Sequence, residues 1–234
     1  MITISNLKKS FGETVACDIS QLTVANGELL GLVGNNGAGK TTLFRMLLDL
    51  LKPDQGQVHI DDIDPSQSED WKATTAAYID ESFLIDYLTP EEYFAFLAKI
   101  SSMPQEVMDE RLRQFEHFAG GEVLGQKKLI RNLSAGNKQK VGIMSVLLRQ
   151  PKLVILDEPF NFLDPTSQNI LKHMLTDYRQ QTGSTILLSS HNLQHTIDIS
   201  TRIVLLEKGH ILRDLENAGE EARQELNNYF EEQA

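Results

Sequence analysis

Leu29-Leu30-Gly31-Leu32-Val33-Gly34-Asn35-Asn36-Gly37-Ala38-Gly39-Lys40-Thr41-Thr42 decides the fold of this chain. Leu29 to Val33 is a short apolar run of the kind that forms an interior parallel strand. It breaks into a glycine-rich turn, after which Leu43, Met46, Leu47 and Leu50 recur at i, i+3, i+4 and i+7, predicting an amphipathic helix that lasts until Pro53. Gly34, Gly39, Lys40 and Thr41 satisfy G-x-x-x-x-G-K-[ST] between that strand and that helix. The glycines let backbone N–H groups wrap phosphates, Lys40 reaches the β- and γ-oxygens, and the Thr41 hydroxyl holds Mg²⁺. The expected nucleotide contacts are therefore Asn35, Asn36, Gly37, Ala38, Gly39, Lys40, Thr41 and Thr42.

A second signal lies far along the chain, in Leu153-Val154-Ile155-Leu156-Asp157-Glu158-Pro159. This is an apolar strand delivering two carboxylates at its C-terminal end, where α/β sheets bind ligands. Successive strand residues face opposite ways, so the two acids should divide their work. Asp157 is expected to hold Mg²⁺ and Glu158 to polarise an attacking water.

Working outward, Ile2/Ile4 and Ile19 to Val24 read as strands, and Asn26-Gly27 reads as a two-residue hairpin turn. Val58/Ile60 is a short strand closed by Asp61-Asp62, and Pro65 to Asp70 is a loop. Thr89-Pro90-Glu91-Glu92 has the form of a helix start, with a capping threonine, proline at N1 and glutamate to complete a capping box. Tyr93, Phe96, Leu97 and Ile100 form the apolar stripe expected of that helix. Further helices are expected over Gln105 to Phe118 and from Ser134 to Pro151, then strands at Leu153 to Leu156, Thr185 to Leu188 and Ile203 to Leu206. Between the first two of these strands Ile170, Leu171, Met174, Leu175 and Tyr178 mark a helix that stops at Gly183. A tail rich in Glu220, Glu221, Glu225, Glu231 and Glu232 reads as an acidic helix. No internal repeat or low-complexity tract is visible.

Across 234 residues, 22 Lys+Arg stand against 33 Asp+Glu, a formal net charge of −11, with 41% hydrophobic and 24% charged residues. This describes a soluble globular unit and excludes disorder, collagen and disulfide scaffolds. The acidic balance argues against nucleic acid as a partner and against direct binding to anionic membranes. One cysteine, Cys17, cannot close an intrachain disulfide, so a reduced cytosol is expected. The first residues lack the apolar core of a secretory signal. The longest apolar stretch, Val141 to Leu148, falls short of the ~18 residues that span a bilayer, so a membrane role would need another chain.

At Leu133-Ser134-Ala135-Gly136-Asn137-Lys138-Gln139-Lys140 the chain resembles the ATP-binding cassette (ABC) ATPases, whose signature is L-S-G-G-Q, and the resemblance covers nearly its whole length. Ala135 replaces a glycine and Asn137 a glutamine. The resemblance implies an α/β P-loop NTPase core with a RecA-like parallel sheet (1–85 and 151–215), an N-terminal antiparallel β subdomain within it, an inserted α-helical subdomain (86–150) and an acidic C-terminal helix (216–234). It implies that Ser134, Gly136 and Asn137 contact ATP held by a second ABC subunit, in a head-to-tail homodimer or heterodimer, with Ser134 also capping its helix.

Further roles follow from the resemblance residue by residue. Phe11 would stack on adenine, and His191 would contact the γ-phosphate beside the catalytic Glu158 and Lys40. The His191/His195 spacing could suggest zinc, but Asn192 stands where a zinc hydrolase carries glutamate. Asp164, in Asn161-Phe162-Leu163-Asp164, would lie in the loop at the dimer interface. Glu81 aligns with the glutamine that links metal to the transmembrane partner, and as a carboxylate would join Thr41 and Asp157 as a metal ligand. The function implied is an ATPase subunit that energises a separate transmembrane permease, of exporter type, from the cytoplasmic face of the membrane. A soluble mechanical ATPase acting on a macromolecular complex is the alternative; an adaptor that binds nucleotide only weakly is a third.

Overall fold

Alternating apolar residues build the first two strands of the computed structural model, which describes residues 1–216 and residue 224. β1 (Ile2–Phe11) and β2 (Thr14–Val24) pair antiparallel, with Ile2 opposite Val24, Ile4 opposite Leu22 and Leu7 opposite Ile19. All six of those side chains are buried, so one face of the ribbon is core. The hairpin turns at Gly12-Glu13 and not at Asn26-Gly27 as expected. Asn26-Gly27 instead hands the chain to β3 (Leu29–Val33), which lies in a different sheet. The reason is composition: β3 is buried at every position, which demands cover on both faces, whereas β2 is half exposed.

After the glycine loop comes α1 (Lys40–Leu47), shorter than predicted. Asp49 turns left-handed at φ 52°, the Leu50 and Leu51 amides both fold back onto the Arg45 carbonyl, and Leu50 is half exposed. β4 (Gln55–Ile60) adds to β1, giving a three-stranded antiparallel sheet ordered β2-β1-β4. A 3₁₀ turn (Asp70–Ala73) that buries Trp71 leads into β5 (Thr75–Tyr78), a strand absent from the sequence reading, and a second 3₁₀ turn follows at Glu81–Phe83.

The helical stretch opens as predicted, with α2 (Pro90–Ile100) started by the Thr89/Glu92 capping box. Its predicted stripe is only partly right: Tyr93 is buried, but Phe94 and Ala98 form the core face, while Phe96 and Ile100 face solvent. The expected single helix over 105–118 is two, α3 (Gln105–Gln114) and α4 (Glu116–Ala119), the second ended by Gly120. α5 (Ala135–Leu148) is buried along most of its length. It lies so close to β5 that a methyl at Gly142 would sit 2.2 Å from the Tyr78 ring.

β6 (Leu153–Leu156), α6 (Pro165–Thr182), β7 (Thr185–Ser190), α7 (Leu193–Ile199), β8 (Arg202–Glu207) and β9 (His210–Glu216) complete the described chain. The six-stranded sheet is ordered β5-β6-β7-β3-β8-β9, parallel except for β9. Glu216 closes β9; the predicted acidic tail otherwise lies outside the described residues. One apolar cluster joins α2 to α6 with one face of the sheet, and a second joins α1 and the antiparallel sheet to the other face. The fold is thus the expected α/β core with an antiparallel sheet on one side and helices on the other. Cys17 is free and buried, and that burial pushes its thiol up to about 12, with Asp18 adding to the shift.

Candidate active site

The carboxyl ends of β3, β7 and β6 lie side by side, and each delivers one piece of the site. From β3 comes the loop Gly34–Gly39, whose last residue adopts φ 107°, a conformation that favours glycine. A methyl there would also lie 2.2 Å from the Ala16 carbonyl oxygen of β2, so the loop is pressed against the antiparallel sheet. No side chain caps α1 at Gly39, so no cap competes with a ligand for the amides of its first turn. Asn35, Asn36 and Gly37 are exposed, Ala38 is buried, and Thr41 and Thr42 are half-buried in the first turn of α1.

β6 delivers the two acids, and their carboxylates meet different partners. Asp157 is buried and accepts hydrogen bonds from the hydroxyls of Thr41 and Ser189. Burial pushes its carboxyl up, and the neighbouring Glu158 adds to this against the opposing hydrogen bonds and Lys40. Glu158 turns away from the strand at φ 47°. One of its oxygens is 3.2 Å from Lys40 Nζ, and the other is 2.9 Å from His191 Nδ1 and accepts the His191 backbone N–H at 3.2 Å. Lys40, itself buried, donates to the Gly34 carbonyl at 2.6 Å and the Asn35 carbonyl at 3.3 Å.

β7 delivers His191, just past its end, and a residue the sequence reading missed. Ser189 Oγ bridges the two acids, donating to Asp157 and accepting the Glu158 N–H at 2.8 Å. Its signal was present as a serine two residues before His191, but only the adjacency of β6 and β7 shows what it touches. Lys40, Thr41, Asp157, Glu158, Ser189 and His191 therefore form one connected cluster. His195, by contrast, stacks on Phe160, with ring centroids 4.9 Å apart.

The remaining expected residues lie elsewhere. Ser134 caps α5, accepting the Asn137 N–H at 3.2 Å, and Asn137 Nδ2 reaches Glu122 at 3.3 Å. A methyl at Gly136 would lie 2.6 Å from the Phe162 carbonyl, so this turn packs on the Asn161–Asp164 loop, where Phe162 is 73% exposed. Asp164 caps α6 and accepts from Ser167, which holds its carboxyl low. Among the described residues no hydrogen bond or ion pair links Ser134, Gly136, Asn137 or Asp164 to Lys40, Thr41 or Asp157. Glu81 is paired with Lys138 Nζ at 2.9 Å and touches neither Thr41 nor Asp157. Phe11 is exposed at the hairpin end of β1, with Lys9 Nζ 5.7 Å from its ring centroid, near the part of β2 that abuts Gly39.

Fold and site together define a nucleotide-triphosphatase cassette. The chain matches the ABC transporter family over residues 17–161. It is 34% identical over 222 residues to the methionine import ATP-binding protein MetN of Brucella abortus (strain 2308), covering 92% of this chain and 59% of that protein. It is also 34% identical over 221 residues to the lipopolysaccharide export system ATP-binding protein LptB of Haemophilus influenzae, covering 91% and 89%. A dimeric bacterial ABC transporter cassette has the same fold, with a TM-score of 0.83 at 24% identity over 94% of this chain and all of that one. The chain belongs to the ABC transporter family and is an ABC ATPase. No helix among the described residues is long and apolar enough to cross a membrane.

Proposed function

We propose that the chain is the ATP-binding and hydrolysing subunit that energises a separate transmembrane permease through ATP-driven, head-to-tail closure of two ABC subunits. The observation that carries this is the division of the site. The cluster Lys40–Thr41–Asp157–Glu158–His191 is assembled within one chain, and although Gln139 of α5 donates to the Glu158 carbonyl at 3.2 Å, no hydrogen bond or ion pair among the described residues links Ser134, Gly136, Asn137 or Asp164 to Lys40, Thr41 or Asp157. A second copy, opposed head to tail, would bring Ser134, Gly136, Asn137 and the Asp164 loop to the nucleotide on the first. The dimeric arrangement of the similar cassette supports that reading.

Thr41 and Asp157 suit Mg²⁺: both are hard oxygen donors in contact, and the buried Asp157 carboxylate carries a desolvation cost that a cation would relieve. When bound, Mg²⁺ would neutralise charge on the β- and γ-phosphates. ATP entering the glycine loop would draw Lys40 from the Gly34 carbonyl and from Glu158 onto its own oxygens. Glu158, released but still held by His191, would accept a proton from water as the water oxygen attacks γ-phosphorus and the bond to ADP breaks. Phe11 would stack on adenine. The direction we favour is export, because Glu81 in place of glutamine resembles exporter-type cassettes, and the working place is the cytoplasmic face of the membrane beside the permease.

Glu158→Gln tests the mechanism. It should lower turnover by about 10²–10⁴-fold and trap a dimer on gel filtration in ATP; a monomeric variant with normal turnover would overturn it. Affinity capture from gently solubilised native membranes tests the partner. A polytopic membrane protein is expected, and recovery of soluble chains alone would move the reading to a soluble mechanical ATPase.

A further inference from the structure

We infer that Asp80 and Glu81 are a two-sided ion-pair yoke between the phosphate-loop helix and the signature helix, so that Glu81 is a positioning residue acting through Lys138 and not a metal ligand. The inference rests on the head-to-tail reading above. The two acids are consecutive and grip different helices. Asp80 is 3.2 Å from the guanidinium of Arg45, in the last turn of α1, and Glu81 is 2.9 Å from Lys138 Nζ, in the first turn of α5. Lys138 is itself tied to the start of α5, its amide donating to the Ser134 carbonyl at 2.9 Å.

The yoke has a fixed base. The Tyr78 carbonyl accepts the Asp157 N–H at 2.9 Å, and the Tyr78 ring packs on Gly142 of α5. From there the chain turns outward: Asp80 caps the short 3₁₀ turn by accepting the Ser82 N–H at 2.9 Å. Phe83 and Tyr87 then stand exposed. Asp80 thus grips α1 at its last turn and Glu81 grips α5 at its first, so a displacement of this segment would pull on both helices that the head-to-tail reading brings to ATP. The chemistry also accounts for the acid: a glutamine at 81 could hydrogen-bond Lys138 but could not neutralise it, and Lys138 is only 22% exposed.

The test is a double-mutant cycle on the purified full chain, using Glu81→Gln, Lys138→Gln and the pair, plus the exchange Glu81→Lys with Lys138→Glu. The readouts are KM and kcat for ATP, the ATP concentration that half-dimerises a Glu158→Gln background, and the Mg²⁺ concentration for half-maximal turnover. Glu81 is largely exposed, so the expected coupling is modest. Each single change should raise the dimerisation midpoint and KM about two- to fivefold with kcat nearly unchanged. The double variant should be no worse than either single, the exchange should restore the parent, and ~1 M salt should erase the differences. The Mg²⁺ midpoint should not move. Asp80→Asn against Arg45→Gln should repeat the pattern.

Single effects that multiply in the double variant would overturn the yoke. So would a tenfold rise in the Mg²⁺ midpoint for Glu81→Gln with Lys138→Gln silent, which would make Glu81 a metal ligand. If the parent neither hydrolyses ATP nor dimerises with it, the functional reading fails and the yoke falls with it; a working parent with unlinked variants defeats the yoke alone.

Discussion

The starts of α1 and α5 are built on opposite principles. α1 opens on Gly39 with no side-chain cap, whereas α5 opens on Ser134, whose hydroxyl takes the Asn137 amide. Both termini carry the positive end of a helix dipole. At α1 the amides are left for a ligand, and the eight-residue helix is held by burying Leu43, Phe44, Met46 and Leu47. At α5 the cap is satisfied within the chain, and ten of its fourteen residues, Gln139 to Leu148, are buried behind that terminus. On the head-to-tail reading proposed above, the half that would bind ATP first is the one left open, and the half that would dock later is preformed.

The largest test of this contrast is Gly39→Ala. The positive φ and the Ala16 carbonyl together leave no room for a methyl. Stability should fall by about 3 kcal/mol or more, lowering Tm by about 6 °C or more, with loss of ATP binding by calorimetry. A stable, ATP-binding Gly39→Ala would break the comparison.

Asp157→Asn probes the desolvated acid beside α1. Because burial raises the native carboxyl above its unfolded value, the charged form costs the folded state stability. That cost is full above the native pKa and vanishes as pH falls below the unfolded value near ~3.9. The variant should therefore melt higher than the parent at neutral pH, and the gap should close on acidification, even as turnover is lost. A gap independent of pH would refute the assignment of the cost to that charge.

At α5 the effects should be smaller. Ser134→Ala should cost about 1 kcal/mol in denaturant unfolding, and Ser134→Gly only a few tenths. A Ser134→Ala loss as large as that of Gly39→Ala would mean that the two termini are not built differently after all.

Much of this was legible in the residues. The loop from Gly34 to Thr41, the strand carrying Asp157 and Glu158, the Thr89 capping box, the Ser134 cap and the stop of α6 at Gly183 are local patterns, and local geometry is what sequence spacing encodes. Misreadings came where an apolar residue had two possible faces. Phe96 and Ile100 share a helical stripe with Tyr93, yet Phe94 and Ala98 took the core side of α2 because the sheet and α5 lie there. Asn26-Gly27 has hairpin chemistry, but the strand after it was too apolar to pair with β2.

What the sequence determined by itself was the list of chemical groups: a phosphate-wrapping loop, a lysine, a hydroxyl, two acids, a histidine and a capped signature helix. Which of them meet was decided by the sheet order β6-β7-β3, which sets the ends of three strands distant in sequence side by side. That order brought Ser189 between the acids and His191 onto Glu158, and the packing around the sheet gave Glu81 to Lys138. Periodicity says which face of a strand is apolar, but strand order follows from how the helices cover both faces of the sheet, and only the assembled core settles that.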